Sequence, residues 1–415
     1  MTEAPSRSRW ANERKNAVST KGTYLFIADA FYPKVLPPEA KTNAFIATSL
    51  AQRGWRVAIW GGAKAAVPPG VPRLKVVRKV ETWNAFELIR MAAWIMLHRP
   101  ARIGLAYFSS TYSMKAHINW LPFIAKWLGI HCTTLFTNGE STNRDPGQDR
   151  LFRWLGFAHL LGSPVGPLGA SSHMVFYSMA DKAKLLYCED SSMYSYSIVS
   201  PPSFLRLPPG AGLRSGDPSK IASTGHFQLG YFGLIYPGKG LACLIKGLSL
   251  VLESGISVRL VVIGGSGAVT ADEASNKRCE DEEAELHQLA LDLKVDYAIT
   301  WCGYRDESEA AILITDCQAV CLPFDDGVTG LRSSFVECAN LGVPVITTLT
   351  AATDDFLRAK GSGIMFVEPQ NPEQIAAAIA RLDADADLRR TCGEQVRHFA
   401  ATHFKNGSLV DAFAE

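Results

Sequence analysis

The stretch LPFDDGVTGLRSSFVECANLGVPVITT, Leu322 to Thr348, decides how the chain is read. It starts at the end of an apolar run, crosses a Gly-punctuated loop, takes helical spacing from Ser333 and leaves through a second apolar run, which predicts strand, loop, helix, strand. A reversing loop needs Gly, Asn or Asp for its turn, but it does not need an arginine and two hydroxyls just before a helix. A helix N-terminus exposes unpaired N–H groups and a positive dipole end. Gly330, Leu331, Arg332, Ser333 and Ser334 are therefore a candidate phosphate cradle, with Arg332 as counter-charge. The plainer reading, in which Ser333 or Ser334 only caps the helix, competes with it.

Outward from this segment the same alternation recurs twice along the 415 residues. Apolar runs at 23–28, 55–60, 102–108, 132–137, 173–178 and 195–200 are separated by helical stretches such as 43–54 and 113–128. A second series at 228–233, 258–264, 298–303, 318–324 and 344–348 has helices expected at 240–254, 272–294, 333–341, 371–382 and 386–402. The pattern predicts an α/β chain with two parallel sheets, each covered by helices. The expected organisation is a loose tail over 1–20, a first domain over 21–205, a Pro/Gly/Ser-rich linker over 206–226, a second domain over 227–385, and a C-terminal helix over 386–415 that packs back on the first domain.

Composition narrows the partners. Residues 1–220 hold 27 lysines and arginines against 13 acids, a surplus of 14, whereas the remainder holds 15 against 27, a deficit of 12. A basic first domain suits phosphates or an anionic membrane surface. No apolar run approaches the roughly 18 residues of a membrane span, and the polar N-terminus lacks the apolar segment of a secretory signal. Nine cysteines without a C-x-x-C are expected as reduced thiols in a cytosolic protein, and nothing in the histidine spacing suggests a zinc site. No nucleic-acid partner is expected.

Two motifs join the opening stretch. In YFGLIYPGKGLACLIKGL, 231–248, a strand ends at Gly233 and Lys239-Gly240 opens a helix, where a lysine reaches a phosphate above the helix N-terminus. VVIGGSGAV, 261–269, is not G-x-G-x-x-G and is read as a strand-to-helix turn. With these motifs, the T-W-C-G-Y step at 300–304, D-C-Q-A-V-C-L-P-F at 316–324 and L-G-V-P-V-I-T-T after Glu337, the chain resembles the second domain of the large retaining glycosyltransferase family 4. The first half, YLFIADAFYPKVLPPEAKTNAFIATSLAQRGWRVAIW, resembles that family's opening strand, loop and helix more loosely.

The resemblance implies a GT-B architecture, two Rossmann-like domains facing across a cleft, and transfer of a sugar from a nucleoside-diphosphate-sugar donor with retention and without a metal or other cofactor. Gly233, Lys239 and the amides after Gly330 would hold the diphosphate, Gly303 and Tyr304 would lie by the base, and Glu337 would bind the ribose hydroxyls. Three positions depart from the pattern: Thr329 stands for the first acid of E-x7-E, Leu234 for the usual arginine, and Asn138-Gly139 for the H-G dyad. Arg332 offers a substitute guanidinium, Asp325 or Asp326 could take over hydrogen bonds to the sugar, and Asn138 and Glu140 are polar groups expected near it. The acceptor, a glycan, a lipid-linked glycan or a small molecule, is expected on the first domain. There WNAFELIRMAAWIMLHR, 83–99, suits a membrane surface or, alternatively, core packing. A non-catalytic sugar-nucleotide-binding relative and another GT-B enzyme, such as an epimerase or a phosphorylase, stay open.

Overall fold

A computed structural model describes residues 21–33, 39–107, 112, 116–136, 166–177, 195–199, 201–205, 207, 225–266 and 273–414. The expected tail, most of the expected linker, and Asn138 and Glu140 lie outside these residues.

The first sheet contains β1 (Thr23–Ala28), β2 (Arg56–Gly62), β3 (Leu74–Val80), β4 (Arg102–Tyr107), β5 (His131–Phe136), β6 (His173–Phe176) and β7 (Tyr196–Ile198) in the order 3-2-1-4-5-6-7. Every pairing is parallel. Around it run α1 (Glu39–Gln52), α2 (Ala85–His98) and α3 (Leu121–Trp127). Runs such as TYLFIA are apolar throughout because a parallel strand in this setting is buried on both faces. β3, LKVVRKV, escapes that rule: it is an edge strand with part of its length exposed, so its charges hide it from an apolar-run reading.

The second sheet orders β8 (Phe227–Phe232), β9 (Val258–Ile263), β10 (Ile299–Gly303), β11 (Ala319–Leu322), β12 (Val345–Thr348) and β13 (Ile364–Val367) as 10-9-8-11-12-13, again all parallel. Its helices are α4 (Leu241–Glu253), α5 (Glu273–Asp292), α6 (Glu307–Asp316), α7 (Ser333–Leu341), α8 (Pro372–Ala384) and α9 (Ala386–His403). One hydrophobic core fills this domain, and two line the faces of the first sheet.

The C-terminus differs from a single returning helix. α9 stays with the second domain, burying Val396, Phe399 and Ala400 in its core. The crossing is made by α10 (Asn406–Ala414), whose Leu409, Val410 and Phe413 join the core of the first domain. Tyr24 donates its phenolic hydrogen to the Phe413 carbonyl at 3.0 Å, and Arg53 pairs with Asp411 at 2.7 Å.

Strand order reverses between β1 and β4 in one sheet and between β8 and β11 in the other. Ligands of open parallel sheets bind at the carboxyl ends of the strands flanking such a reversal. β8 ends into Gly233, and β11 ends into Pro323-Phe324, the start of the decisive loop.

Candidate functional site

A cavity of about 410 Å³ opens between the domains at this switch point. The second domain contributes Gly233, Lys239, Tyr304, Leu331, Arg332, Ser333, Ser334 and Glu337 to its wall, and the first domain contributes Glu39, Lys41 and Thr42. The turns that shape it demand glycine. A Cβ on Gly240, at φ 72°, would stand 1.8 Å from the Pro323 carbonyl oxygen, and one on Gly264, at φ 137°, would stand 1.9 Å from that of Gly233. Only a chain without side chains at both points lets the β8, β9 and β11 ends close up.

Lys239 is buried, and its Nζ lies 4.6 Å from the Tyr236 ring centre and 5.0 Å from that of Phe324. Among the described residues it has no ion-pair or hydrogen-bond partner. Burial, reinforced by the nearby Arg332 and only partly opposed by Asp326, pulls its pKa down to about 7. The Arg332 guanidinium covers the same Phe324 ring at 4.7 Å and ion-pairs with Asp326, while its buried Nε has no partner among the described residues. Two cations stacked on one aromatic ring repel each other, and an anion between them relieves that repulsion.

α7 begins at these cations. Its N-cap position is Arg332, which makes no side-chain cap bond, and Ser333 and Ser334 lie inside the first turn. The N-cap reading therefore gives way to an uncapped N-terminus. Part of the proposed amide cradle is committed elsewhere: the Gly330 N–H donates to Asp354 Oδ2 at 2.8 Å, and the Arg332 N–H donates to the Thr329 carbonyl at 3.0 Å. Ser334 faces Gly233, its Cβ 3.5 Å from where a Gly233 Cβ would stand.

Glu337, one turn further on, is buried. Its Oε2 accepts from Ser203 Oγ at 2.6 Å and from the Leu205 N–H at 3.1 Å, and its Oε1 accepts from the Phe204 N–H at 2.6 Å. Phe204 packs edge-on against Phe45 of α1 with ring centres 6.0 Å apart. Glu337 thus holds the crossing segment 201–205 between the domains.

The remaining candidates scatter. Tyr304 lines the cavity, whereas Gly303, at φ 64°, stands behind it and bonds through its carbonyl to the Gly264 amide at 3.0 Å. Thr329, Asp325 and Asp326 do not line the cavity, and Asp326 is exposed as the partner of Arg332. The sequence carried no pointer to Asp354, to the Ser203–Leu205 clamp or to Glu39. Phe324 stood in the decisive stretch, but its place beneath both Lys239 and Arg332 appears only in the fold.

Residues 217–399 match the family described as Glycosyl transferases group 1. The lipopolysaccharide core biosynthesis glycosyltransferase LpsE of Rhizobium meliloti (strain 1021) is 25% identical over 135 residues, which is 32% of this chain and 38% of that protein. The capsular polysaccharide biosynthesis glycosyltransferase CapM of Staphylococcus aureus is 26% identical over 182 residues, 44% of this chain and 43% of its own length. The chain thus spans less than half the length of the curated relatives it matches. Among solved structures, Anabaena HepE in complex with UDP superposes with a TM-score of 0.64 at 16% identity, covering 94% of this chain and 98% of that one. A glycosyltransferase from Rickettsia africae gives 0.63 at 14% identity, covering 94% and 96%. The fold is the GT-B fold.

Proposed function

We propose that the protein is a glycosyltransferase that moves a sugar from a nucleoside-diphosphate-sugar donor to a glycan, lipid-linked or small-molecule acceptor in polysaccharide biosynthesis. The observation that carries this reading is the pair Lys239 and Arg332, stacked on Phe324 at an uncapped helix N-terminus, at the switch point of a sheet whose domain matches a glycosyltransferase family. That a neighbour of the same fold was solved in complex with UDP supports a nucleotide as the ligand.

In such a reaction negative charge grows on the departing phosphate. Two desolvated cations and the α7 dipole, fixed before the reaction, stabilise that charge without reorganising. Neither needs a metal ion, which is why a metal-independent mechanism is part of the proposal; retention rests on family resemblance. Glu337 is proposed as the ribose contact. Thermal-shift screening against UDP-, GDP-, ADP- and TDP-sugars tests the donor reading, because a ligand at 100 times its dissociation constant adds about 2.7 kcal/mol of stability. A flat response to all four, with no nucleotide detected by calorimetry, overturns it.

The acceptor side is proposed to meet an anionic membrane surface, with the protein cytoplasmic and peripheral. Among the described residues no helix is long and apolar enough to cross a membrane. α2 packs inward through Glu87, Met91 and Ile95, while Phe86 (71% exposed), Ile89 (64%) and Leu97 (70%) face outward, as does Trp127 (76%) on the neighbouring α3. Core packing thus explains one stripe of the helix and not the other. Arg90, Arg99 and Lys126 are exposed around this face, and the acid of α2, Glu87, is buried against Arg78 and Arg90. An apolar stripe with a cationic border is the pattern of an interfacial helix. The protein is expected to sediment with phosphatidylglycerol vesicles and not with phosphatidylcholine vesicles at low salt, and a Phe86→Ser, Leu97→Ser double variant should lose that binding. Equal recovery with both lipids would remove the membrane proposal.

A further inference from the structure

The cavity has a wall on the first domain that the donor reading does not use. Glu39 opens α1 and lines the cavity, with its Oε2 sealed from solvent and, among the described residues, without a hydrogen-bond partner. The nearest cation on its own helix is already engaged, since Lys41 Nζ pairs with Glu307 across the cleft at 2.7 Å. Burial, and then the nearby charge of Glu39, raise the pKa of the Tyr177 phenol, against a hydrogen bond to Thr42 that lowers it. Burial also raises the pKa of Glu39, opposed only by a bond to its own backbone. A carboxyl without a partner is costly to bury, so its place on a ligand-sized cavity calls for an explanation that core packing does not give.

We propose that Glu39 hydrogen-bonds a hydroxyl of the donor's sugar, gripping it from the first domain while Lys239 and Arg332 hold the diphosphate from the second. The inference rests on the donor reading above and adds a specificity residue to it. The geometry favours the donor's sugar because one cavity of about 410 Å³ contains Glu39, Lys239, Arg332 and Ser334 together. That volume falls within the range of ordinary ligand sites, and a nucleotide sugar anchored at the α7 N-terminus carries its hexose away from the cations toward the opposite wall. A carboxyl oxygen accepts a hydrogen bond from a sugar hydroxyl, which is the partner that Glu39 lacks. A site built to pair a hydroxyl discriminates strongly against ligands that lack one.

The test compares UDP, GDP and ADP with their glucose conjugates by isothermal calorimetry on the parent protein, Glu39→Gln and Glu39→Met. Gln keeps a donor and an acceptor; Met keeps the approximate shape and has neither. The expected result is that Met lowers affinity for the sugar nucleotide about tenfold. Affinity for the bare diphosphate should stay unchanged, and Gln should stay within about threefold of the parent on both. Removing an unpartnered carboxyl should leave the melting temperature of Glu39→Met equal or higher, so the variant remains measurable. Equal loss for diphosphate and sugar nucleotide, or no loss for either, overturns the proposal. If the parent protein binds none of the diphosphates, the donor reading fails and this inference falls with it, an outcome distinct from failure at Glu39 alone.

Discussion

Lys239 shows how a single residue can make ligand binding depend on pH. Its ammonium is held between the Tyr236 and Phe324 rings beside Arg332, with its pKa pulled down to about 7, so near neutrality it is charged only part of the time. A diphosphate restores the charge, and binding above pH 7 therefore takes up a proton. The sign follows: affinity for a nucleoside-diphosphate hexose is full below about pH 7 and falls as pH rises, by up to tenfold per pH unit. A hexose conjugate is the right probe because its phosphates do not titrate in this range. Lys239→Arg keeps a permanent charge and should flatten the profile between about pH 6.5 and 9. A parent profile already flat across that window would mean that Lys239 does not bind the anion. Phe324 carries no charge yet organises both cations, a role that its position in LPFDD suggests only once the folded loop is seen.

At the scale of the element, α7 performs two tasks with nine residues. Its N-terminus, without a cap, faces the cavity, and its buried Glu337 binds the segment that joins the domains. Three hydrogen bonds to one carboxylate are charge-assisted, and replacing the charge weakens all of them. Glu337→Gln should therefore destabilise the ligand-free protein by about 1.5–3 kcal/mol in urea denaturation. The same variant checks the ribose proposal. Affinity for a ribonucleotide should fall on the order of tenfold while affinity for its 2′,3′-dideoxy analogue holds. An unchanged ratio of the two affinities would assign Glu337 wholly to segment 201–205. The sequence placed α7 at 333–341 because its apolar spacing and Gly342 stop are local signals; Gly342 takes the left-handed conformation, φ 73°, that ends the helix. The clamp was not legible, since Ser203 and Glu337 are 134 positions apart and nothing local ties them.

The whole molecule is closed by its last helix. α10 leaves the second domain and seals one face of the first sheet with Leu409, Val410 and Phe413, the Phe413 ring meeting Phe26 edge-on at 5.8 Å. Gly104 in β4 makes room for that ring, because a Cβ there would stand 3.0 Å from it. Deleting a fully buried aromatic side chain in a close-packed core should cost about 3–5 kcal/mol, so Phe413→Ala is expected to lower the unfolding free energy extrapolated from urea denaturation by that amount. A loss below about 1 kcal/mol would show that α10 frays and contributes little to the seal.

The two-sheet α/β architecture was legible because buried parallel strands are continuous apolar runs and helices repeat every 3.6 residues, both properties of short windows. The decisive loop was legible for a similar reason: Gly330, Arg332, Ser333 and Ser334 are neighbours in the chain as well as in space. Elements that break the local rule were not: charged β3 and four-residue β13 lie at sheet edges, and α6 begins on an Asp306 cap that a polar stretch conceals. The cavity belongs to the tertiary structure alone. It joins Glu39 to Arg332, 293 positions apart, and whether a carboxyl is buried, paired or left to face a ligand depends on what the other domain brings against it. Sequence fixes which groups are present and which local segments they ride on; desolvation and long-range pairing, which set the charge of Lys239 and the partners of Glu337, arise only when the two sheets meet.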